Sequence, residues 1–171
     1  LWDLSFVDPD NRRPVDYELR ESLLNAFDGM AAMPADLTAN PHDGRAKLWL
    51  TSRLLAVRRE SPALLRDGSY TPLRVAGSRA ENVVAFARTC PDKTMLIALA
   101  GRLLSKLGGA PGVWPIGAAA WGDTCVDVPL ADGTQLRDAI TGETLAITNG
   151  KLVLGEAFAT LPCAALLLVA Q

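Results

Sequence analysis

The sequence predicts an α+β protein in which two amphipathic helices precede an antiparallel β-sandwich. Before about residue 66, apolar residues recur at three- and four-residue spacing, which is typical of helices that bury one face. From about residue 69 onward the chain consists of short apolar segments separated by glycine, proline or Asp-Gly, which is typical of strands and turns. The 171 residues are enough for one domain with a core, or for one domain and part of another.

The first helix is expected to begin at Pro14, because proline has no N–H to leave unpaired at the first helical position. It is expected to stop at Asp28-Gly29, since glycine readily takes the left-handed conformation that ends helices. The residues that recur at helical spacing, and that predict its apolar stripe, are Val15, Leu19, Leu23, Ala26 and Phe27.

The second helix is expected to run from an N-cap at Asp43 to about Glu60. Between the two helices, Pro34 and Pro41 predict a loop without helix. The predicted buried face of the second helix carries Leu50, Leu54 and Val57, with Ala46 and Leu55 near its edge.

Seven segments after Gly68 are expected to form strands of a sandwich or barrel. Two of them, "TMLIALA" and "ALLLVA", are continuous apolar runs, which predict central strands covered on both faces. Turn signals stand at Asp132-Gly133 and at Asn149-Gly150, where "ITNGKLVL" predicts a two-residue hairpin. The glycine-rich stretch "KLGGAPGVWPIGAAAWGD" is expected to be a long loop. Its Trp114 and Trp121 suit either aromatic packing over the sandwich edge or a platform for sugars.

Composition excludes several classes of function. A net charge of −2 without a basic stripe argues against nucleic-acid binding. Three widely spaced cysteines and a single histidine, His42 in a loop, argue against a metal site and are typical of a reducing cytoplasm. No signal peptide, membrane-length apolar run, phosphate loop or dinucleotide fingerprint is found, so neither a membrane segment nor a cofactor is expected.

The densest polar chemistry lies at the start of the chain, in Asp8-Pro9-Asp10-Asn11-Arg12. A carboxylate and a guanidinium four residues apart can converge on adjacent sugar hydroxyls, one accepting and the other donating hydrogen bonds. Trp2 can offer an apolar face to a pyranose ring. The same residues are also turn formers, and Arg12 can simply pair with Asp8 or Asp10, so a plain turn before the first helix stays an alternative.

The stretch "WDLSFVDPDNRRPVDYELR" resembles the maltooligosyltrehalose synthases of the α-amylase superfamily, glycoside hydrolase family 13. The resemblance continues through "DGRAKLWLTSRLLAVRRESPALLRDGSYTPL" and "ENVVAFAR". It implies a (β/α)8 barrel followed by a C-terminal β-sandwich. Residues 1–67 would then be the C-terminal remnant of the barrel, including its last outer helices, and residues 68–171 the sandwich domain. Leu1 in place of a methionine would mark the start of a fragment.

The resemblance also implies an isomerase of trehalose biosynthesis. Such enzymes convert the reducing-end α-1,4 linkage of a maltooligosaccharide to an α,α-1,1 linkage by retaining intramolecular transglycosylation. By their place in the motif, Asp8 and Arg12 would hold a glucosyl unit, supported by Asp10, Asn11 and Arg13. The family's catalytic carboxylates lie on earlier barrel strands, so no catalytic residue is expected here. The chain alone is expected to be inactive, with the missing N-terminal barrel as its partner.

A different class of function stays open from the sequence. The chain suits a freestanding carbohydrate-binding or structural β-sandwich module as well. Saccharide binding at Trp114 and Trp121, rather than at Asp8 and Arg12, would favour the module.

Overall fold

The computed structural model describes residues 14–40, 42–107 and 112–168. Helices occupy the first part of this region and recur as short turns among the strands. The α-helices are α1 (Tyr17–Phe27), α2 (Asp36–Ala39), α3 (Arg45–Glu60), α4 (Pro62–Arg66), α5 (Gly117–Trp121) and α6 (Leu154–Ala157), and two 3-10 helices span Ala80–Asn82 and Leu104–Leu107.

All strand pairs in the described residues are antiparallel, and they form two sheets. The strands are β1 (Ser69–Pro72), β2 (Val75–Ala76), β3 (Val83–Thr89), β4 (Met95–Gly101), β5 (Cys125–Asp127), β6 (Gln135–Asp138), β7 (Thr144–Ala146), β8 (Lys151–Val153) and β9 (Cys163–Leu168). The larger sheet has the order β1-β3-β4-β9-β6-β7 and the smaller has the order β2-β5-β8. The predicted mixture of helices and antiparallel sheet is confirmed, and each of the seven predicted segments contains a strand.

One core cluster draws residues from both sheets. The larger sheet contributes Ile97 of β4 and Leu166 of β9, and the smaller contributes Val126 of β5 and Leu152 of β8, all nearly inaccessible to solvent. The same cluster includes Trp121 of α5 and Phe158, which directly follows α6. Since side chains alternate between the faces of a strand, the core between the sheets uses every second residue of each strand.

A second core cluster joins the helices to the opposite face of the larger sheet. Leu96 of β4 and Ala165 of β9 pack here with Phe27 of α1, Trp49 of α3 and Leu64 of α4. Strands β4 and β9 are therefore covered on both faces, which explains why their sequences are apolar without alternation. The prediction that these two runs form central strands is confirmed.

Helix α1 begins later than predicted. Asp16 is its N-cap and accepts a hydrogen bond from the N–H of Leu19 at 2.8 Å, so Pro14 lies before the helix. Its end at Asp28-Gly29 agrees with the prediction, and Gly29 has φ of +73°. Only Phe27 of the predicted stripe is buried, whereas Val15 is 42% and Leu19 45% exposed. The predicted apolar face of α1 is therefore buried only at its C-terminal end and is largely exposed before it.

Helix α3 ends at Glu60 as predicted, but its start and its buried face differ. The cap is Gly44, with φ of +76°, and Asp43 instead accepts a hydrogen bond from the N–H of Arg45. The buried residues are Ala46, Trp49 and Val57. Leu54 and Leu55, expected on or near that face, are 38% and 57% exposed. The buried face of α3 is rotated relative to the predicted face, because the Trp49 indole has a hydrogen-bond partner inside the protein.

Two regions expected to lack helix contain one short turn each. Helix α2 forms between the two prolines of the 30–44 segment and buries Leu37. Helix α5 forms inside the glycine-rich stretch and buries Trp121. Proline prevents a helix from passing through it, but leaves room for a single turn beside it.

The turn at Asn149-Gly150 is confirmed, with φ of +53° and +67° at its two central residues. Thr148 and Lys151 exchange both backbone hydrogen bonds across it. The strands that flank it nevertheless lie in different sheets, since β7 joins the larger sheet and β8 the smaller. The predicted simple hairpin is therefore wrong beyond its turn, which acts as a corner between the sheets.

Candidate functional site

The polar residues predicted to contact sugar lie outside the described part of the chain. These residues are Trp2, Asp8, Asp10, Asn11, Arg12 and Arg13. What the structure does describe is the element that follows them, beginning at Pro14. The first turn of α1 is held by Asp16, whose carboxylate caps Leu19 and whose carbonyl accepts a hydrogen bond from Arg20 Nη1 at 2.7 Å.

The far end of α1 is anchored to α3. The rings of Phe27 and Trp49 meet edge to face, with centroids 5.2 Å apart. The guanidinium of Arg53 lies over the Trp49 ring at 5.3 Å and donates to the carbonyl of Met30 at 3.3 Å. The C-terminal end of α1 is therefore positioned by α3.

Helix α3 is held by hydrogen bonds to residues 138–143, which form the turn between β6 and β7. Trp49 Nε1 donates to the carbonyl of Ile140 at 2.7 Å, and Arg53 Nε donates to the carbonyl of Ala139 at 3.2 Å. From the preceding loop, Met33 N–H donates to the carbonyl of Thr141 at 3.2 Å. This turn thus joins the helices and the preceding loop to the sheet through three hydrogen bonds.

The carboxylate of Asp138 holds that turn together. It is 2% exposed, and it accepts hydrogen bonds from the backbone N–H groups of Ile140 and Ala165 and from the Thr141 hydroxyl. Burial raises the pKa of Asp138, although these three donors oppose the shift. Asp138 is not among the residues that the sequence predicted to be functional. Its signal was the alternation in β6, which places Asp138 on the same buried face as Leu136.

The two tryptophans of the glycine-rich stretch support packing rather than a shared sugar platform. Trp121 is fully buried, donates from Nε1 to the carbonyl of Pro115 at 2.8 Å and meets Phe158 edge to face at 4.8 Å. It cannot contact a ligand, so the platform interpretation is wrong for Trp121. Trp114 is partly buried beside the helical core, lines an open groove of about 270 Å³, and its Nε1 has no hydrogen-bond partner in the described residues.

The described residues contain few other candidate functional groups. They hold no group of three or more His, Cys, Asp or Glu side chains that could bind a metal ion. Cys90, Cys125 and Cys163 carry free thiols. Burial, with a smaller contribution from Asp138, raises the pKa of Cys163 to about 12. His42 is exposed in its loop, as expected. None of the helices described here combines the length and apolar character needed to cross a membrane.

Comparison with known proteins gives one consistent match. Proteins named maltooligosyl trehalose synthase from two Mycobacterium tuberculosis strains, CDC 1551 / Oshkosh and ATCC 25618 / H37Rv, are 33% identical over 162 residues. The match covers 95% of this chain and 17% of each relative. No family model matches the chain.

A solved structure agrees with the sequence match. A mutant of maltooligosyltrehalose synthase from Arthrobacter ramosus has a TM-score of 0.70 and 38% identity to this chain. The superposition covers 98% of this chain and 19% of that structure. The chain therefore spans about a sixth to a fifth of the length of these relatives, and it is a homologue of one segment of the maltooligosyltrehalose synthases.

Proposed function

We propose that this chain is the C-terminal part of a maltooligosyltrehalose synthase that acts in trehalose biosynthesis in the cytoplasm. The observation that carries the proposal is the match over nearly all of this chain to less than a fifth of each relative. The full protein would convert the reducing-end α-1,4 linkage of a maltooligosaccharide to an α,α-1,1 linkage. It would do so through a retaining intramolecular transglycosylation with a covalent glycosyl-enzyme.

Under this proposal, residues 1–67 complete an N-terminal catalytic barrel and residues 68–171 form a C-terminal β-sandwich. The core shared by the two sheets supports the sandwich assignment. The barrel assignment is supported by the exposure of Val15 just before α1, of Leu19 and Leu24 on α1, and of Leu54 and Leu55 on α3. Outer barrel helices need apolar residues on the face that packs against strands, and these residues provide such a face.

Asp8 and Arg12 are the residues proposed to hold a glucosyl unit next to the reacting bond. A carboxylate that accepts and a guanidinium that donates suit two neighbouring sugar hydroxyls. Asp10, Asn11, Arg13 and Trp2 would support that contact. The fastening of α1 to α3 and of α3 to the 138–143 turn supports a fixed exit for this loop.

The catalytic carboxylates of the reaction are proposed to belong to the barrel strands that this chain does not include. The chain alone would then lack the nucleophile and would leave maltopentaose unchanged. Loss of reducing ends from maltopentaose is the assay, with a longer protein that adds the upstream barrel as the active comparison. Turnover by the 171-residue chain alone would contradict the proposed division of the site.

Arg12→Ala in the longer protein tests the sugar contact. We expect a fall in kcat/KM of about tenfold to a hundredfold, because a hydrogen bond to a charged group contributes about 1.5–3 kcal/mol. Arg59→Ala, at the exposed end of α3, is the matched control and should leave kcat/KM unchanged. Equal kcat/KM values for the Arg12→Ala variant and the unchanged protein would remove Arg12 from the site.

The second candidate is a freestanding carbohydrate-binding or structural module. The groove beside Trp114 is the observation that favours it. Calorimetric titration of the chain and of its Trp114→Ala variant with maltoheptaose distinguishes the two, since a module would bind saccharide through the groove beside Trp114. Binding that Trp114→Ala abolishes would favour the module.

A further inference from the structure

An exposed aromatic pair lies at the edge of the larger sheet, on the strand that follows the helices. Tyr70 of β1 is 58% exposed, and its ring contacts Phe86 of β3 with centroids 4.9 Å apart and planes inclined at 31°. All four residues of β1 are exposed. Two aromatic rings in contact at an exposed position offer an apolar face on which a ligand ring can stack.

Tyr70 and Phe86 lie on the face of the larger sheet against which the helices pack, at a part of that face that the helices leave open. Along β3, Val83, Ala85 and Ala87 point into the core between the sheets, so Val84 and Phe86 point to the opposite face. On that face, Leu96 is buried under the helices, whereas Val84 is 41% exposed. The aromatic pair and Val84 therefore form an open surface.

The nearest charged neighbour in the strand pairing directs its donors to the end of α4. Arg88 lies opposite Tyr70, and its guanidinium donates to the carbonyls of Leu64 and Leu65 at the end of α4. The Tyr70 hydroxyl makes no hydrogen bond within the described residues. The surface thus presents two rings and a hydroxyl that can both donate and accept a hydrogen bond, which suits a ligand with an apolar face and polar edges.

The open edge of β1 supplies further hydrogen-bonding groups. Leu73 N–H donates to the carbonyl of Ala85, so by alternation the N–H and C=O of Tyr70 point away from β3. In the described part of the larger sheet, β1 is the terminal strand on this side. A ligand stacked on the Tyr70 ring would find a backbone donor and acceptor beside it.

We propose that Tyr70 and Phe86 form a surface site for a neutral oligosaccharide, in which a pyranose ring stacks on Tyr70 and its hydroxyls bind the Tyr70 hydroxyl and the edge of β1. The choice of an α-1,4-linked glucan as its ligand rests on the proposed function. The proposed site does not use Asp8 or Arg12. It would hold a part of the chain that does not react, and so raise the local concentration of substrate.

The two tyrosines of the sequence make the test specific, because fluorotyrosine labelling gives one fluorine NMR signal for Tyr70 and one for Tyr17. Tyr17 on α1 is 73% exposed and serves as an internal control for non-specific contact. Titration with maltoheptaose should shift the Tyr70 signal in a saturable manner and leave the Tyr17 signal in place. A Tyr70 signal that does not move, or an equal movement of both signals, would overturn the site.

Substitutions of Tyr70 distinguish the loss of ring stacking from a change in the fold. Tyr70→Ala should weaken maltoheptaose binding at least about tenfold, whereas Tyr70→Phe, which keeps the ring, should retain most of it. Tyr17→Ala should bind as the unchanged chain does. A Tyr70 signal that shifts with protein concentration in the absence of sugar would show that a second copy of the chain covers this face, and would also overturn the proposal.

The outcomes distinguish this site from the proposed function. If the longer protein converts maltopentaose but maltoheptaose leaves the Tyr70 signal unmoved, only the surface site is wrong. If the Tyr70 signal shifts while the longer protein leaves maltopentaose unconverted, the proposed reaction is wrong and the saccharide site stands.

Discussion

Trp49 Nε1 donates a hydrogen bond to the carbonyl of Ile140 at 2.7 Å, across 91 positions of sequence. The Trp49 side chain is completely buried, so neither partner has water as an alternative. Removal of the donor leaves the carbonyl without that partner, which costs about 1–3 kcal/mol. This bond is therefore a principal link between the helical layer and the sheet.

Trp49→Phe should lower the free energy of unfolding by about 2–3 kcal/mol, because the variant loses the donor and leaves a cavity. Urea unfolding followed by circular dichroism measures the change. Leu55→Ala is the matched control on the same helix, since Leu55 is 57% exposed, and should change stability by less than about 0.5 kcal/mol. Equal effects of the two substitutions would show that the Trp49–Ile140 bond does not fasten the layers.

Asp138→Ala should destabilise the fold by about 3 kcal/mol, because it leaves the N–H groups of Ile140 and Ala165 without a partner inside the protein. Asp132→Ala is the control: Asp132 accepts a single, exposed hydrogen bond from Gly150 and its loss should cost far less. A chain that tolerates Asp138→Ala as well as Asp132→Ala would contradict the structural role of the buried carboxylate.

The same carboxylate predicts a pH dependence of stability with a definite sign. Burial raises the pKa of Asp138 above its ordinary value of 3.8, so the folded state binds this proton more tightly than the unfolded state does. The contribution of Asp138 to stability is therefore largest in acid and falls as the pH rises from about 4 through the folded-state pKa.

Asp138→Asn removes this dependence. Unfolding measured at a series of pH values should show the stability difference between the unchanged protein and the variant growing toward acid, and a difference independent of pH would contradict it.

Gly142→Ala should destabilise more than Gly133→Ala, although both glycines have positive φ, of +85° and +79°. A Cβ at position 142 would lie 2.5 Å from the carbonyl oxygen of Ala31, whereas position 133 has open space around it. The control variant thus measures the left-handed backbone strain alone, about 1–2 kcal/mol. The additional loss of stability in Gly142→Ala, measured by urea unfolding, gives the cost of the contact between the new Cβ and the loop at residues 30–33. If the two variants lose the same stability, the loop moves away without cost.

Cys163 should be the slowest of the three thiols to react with iodoacetamide. A pKa raised to about 12 leaves very little thiolate near pH 8, and the thiolate is the reacting form. Peptide mass spectrometry of timed samples should show Cys163 modified at least about tenfold more slowly than Cys90 and Cys125. Unfolding in urea should abolish the difference, and its persistence there would point to a cause other than the folded environment.

The sequence by itself determined the features that depend on neighbouring residues. The helical end at Asp28-Gly29, the end of α3 at Glu60, the turn at Asn149-Gly150 and the seven strand-bearing segments all follow from turn chemistry and local periodicity. The two unbroken apolar runs also predicted strands covered on both faces, because burial on both sides removes the need for alternation. The sugar-contacting loop at Asp8 and Arg12 stays a prediction from local chemistry and resemblance.

The tertiary structure decided the features whose partners lie far away in the chain. Periodicity alone favoured Leu54 for the buried face of α3, but Trp49 takes that place because the carbonyl of Ile140 offers its indole a partner. The strands beside Asn149-Gly150 enter different sheets, since β7 pairs with the preceding strand β6, whereas β8 pairs with the more distant β5. Asp138 is tolerated in the core only because β9 and its own turn supply three donors. Local sequence cannot specify such contacts, because their free energy depends on groups brought together by the fold.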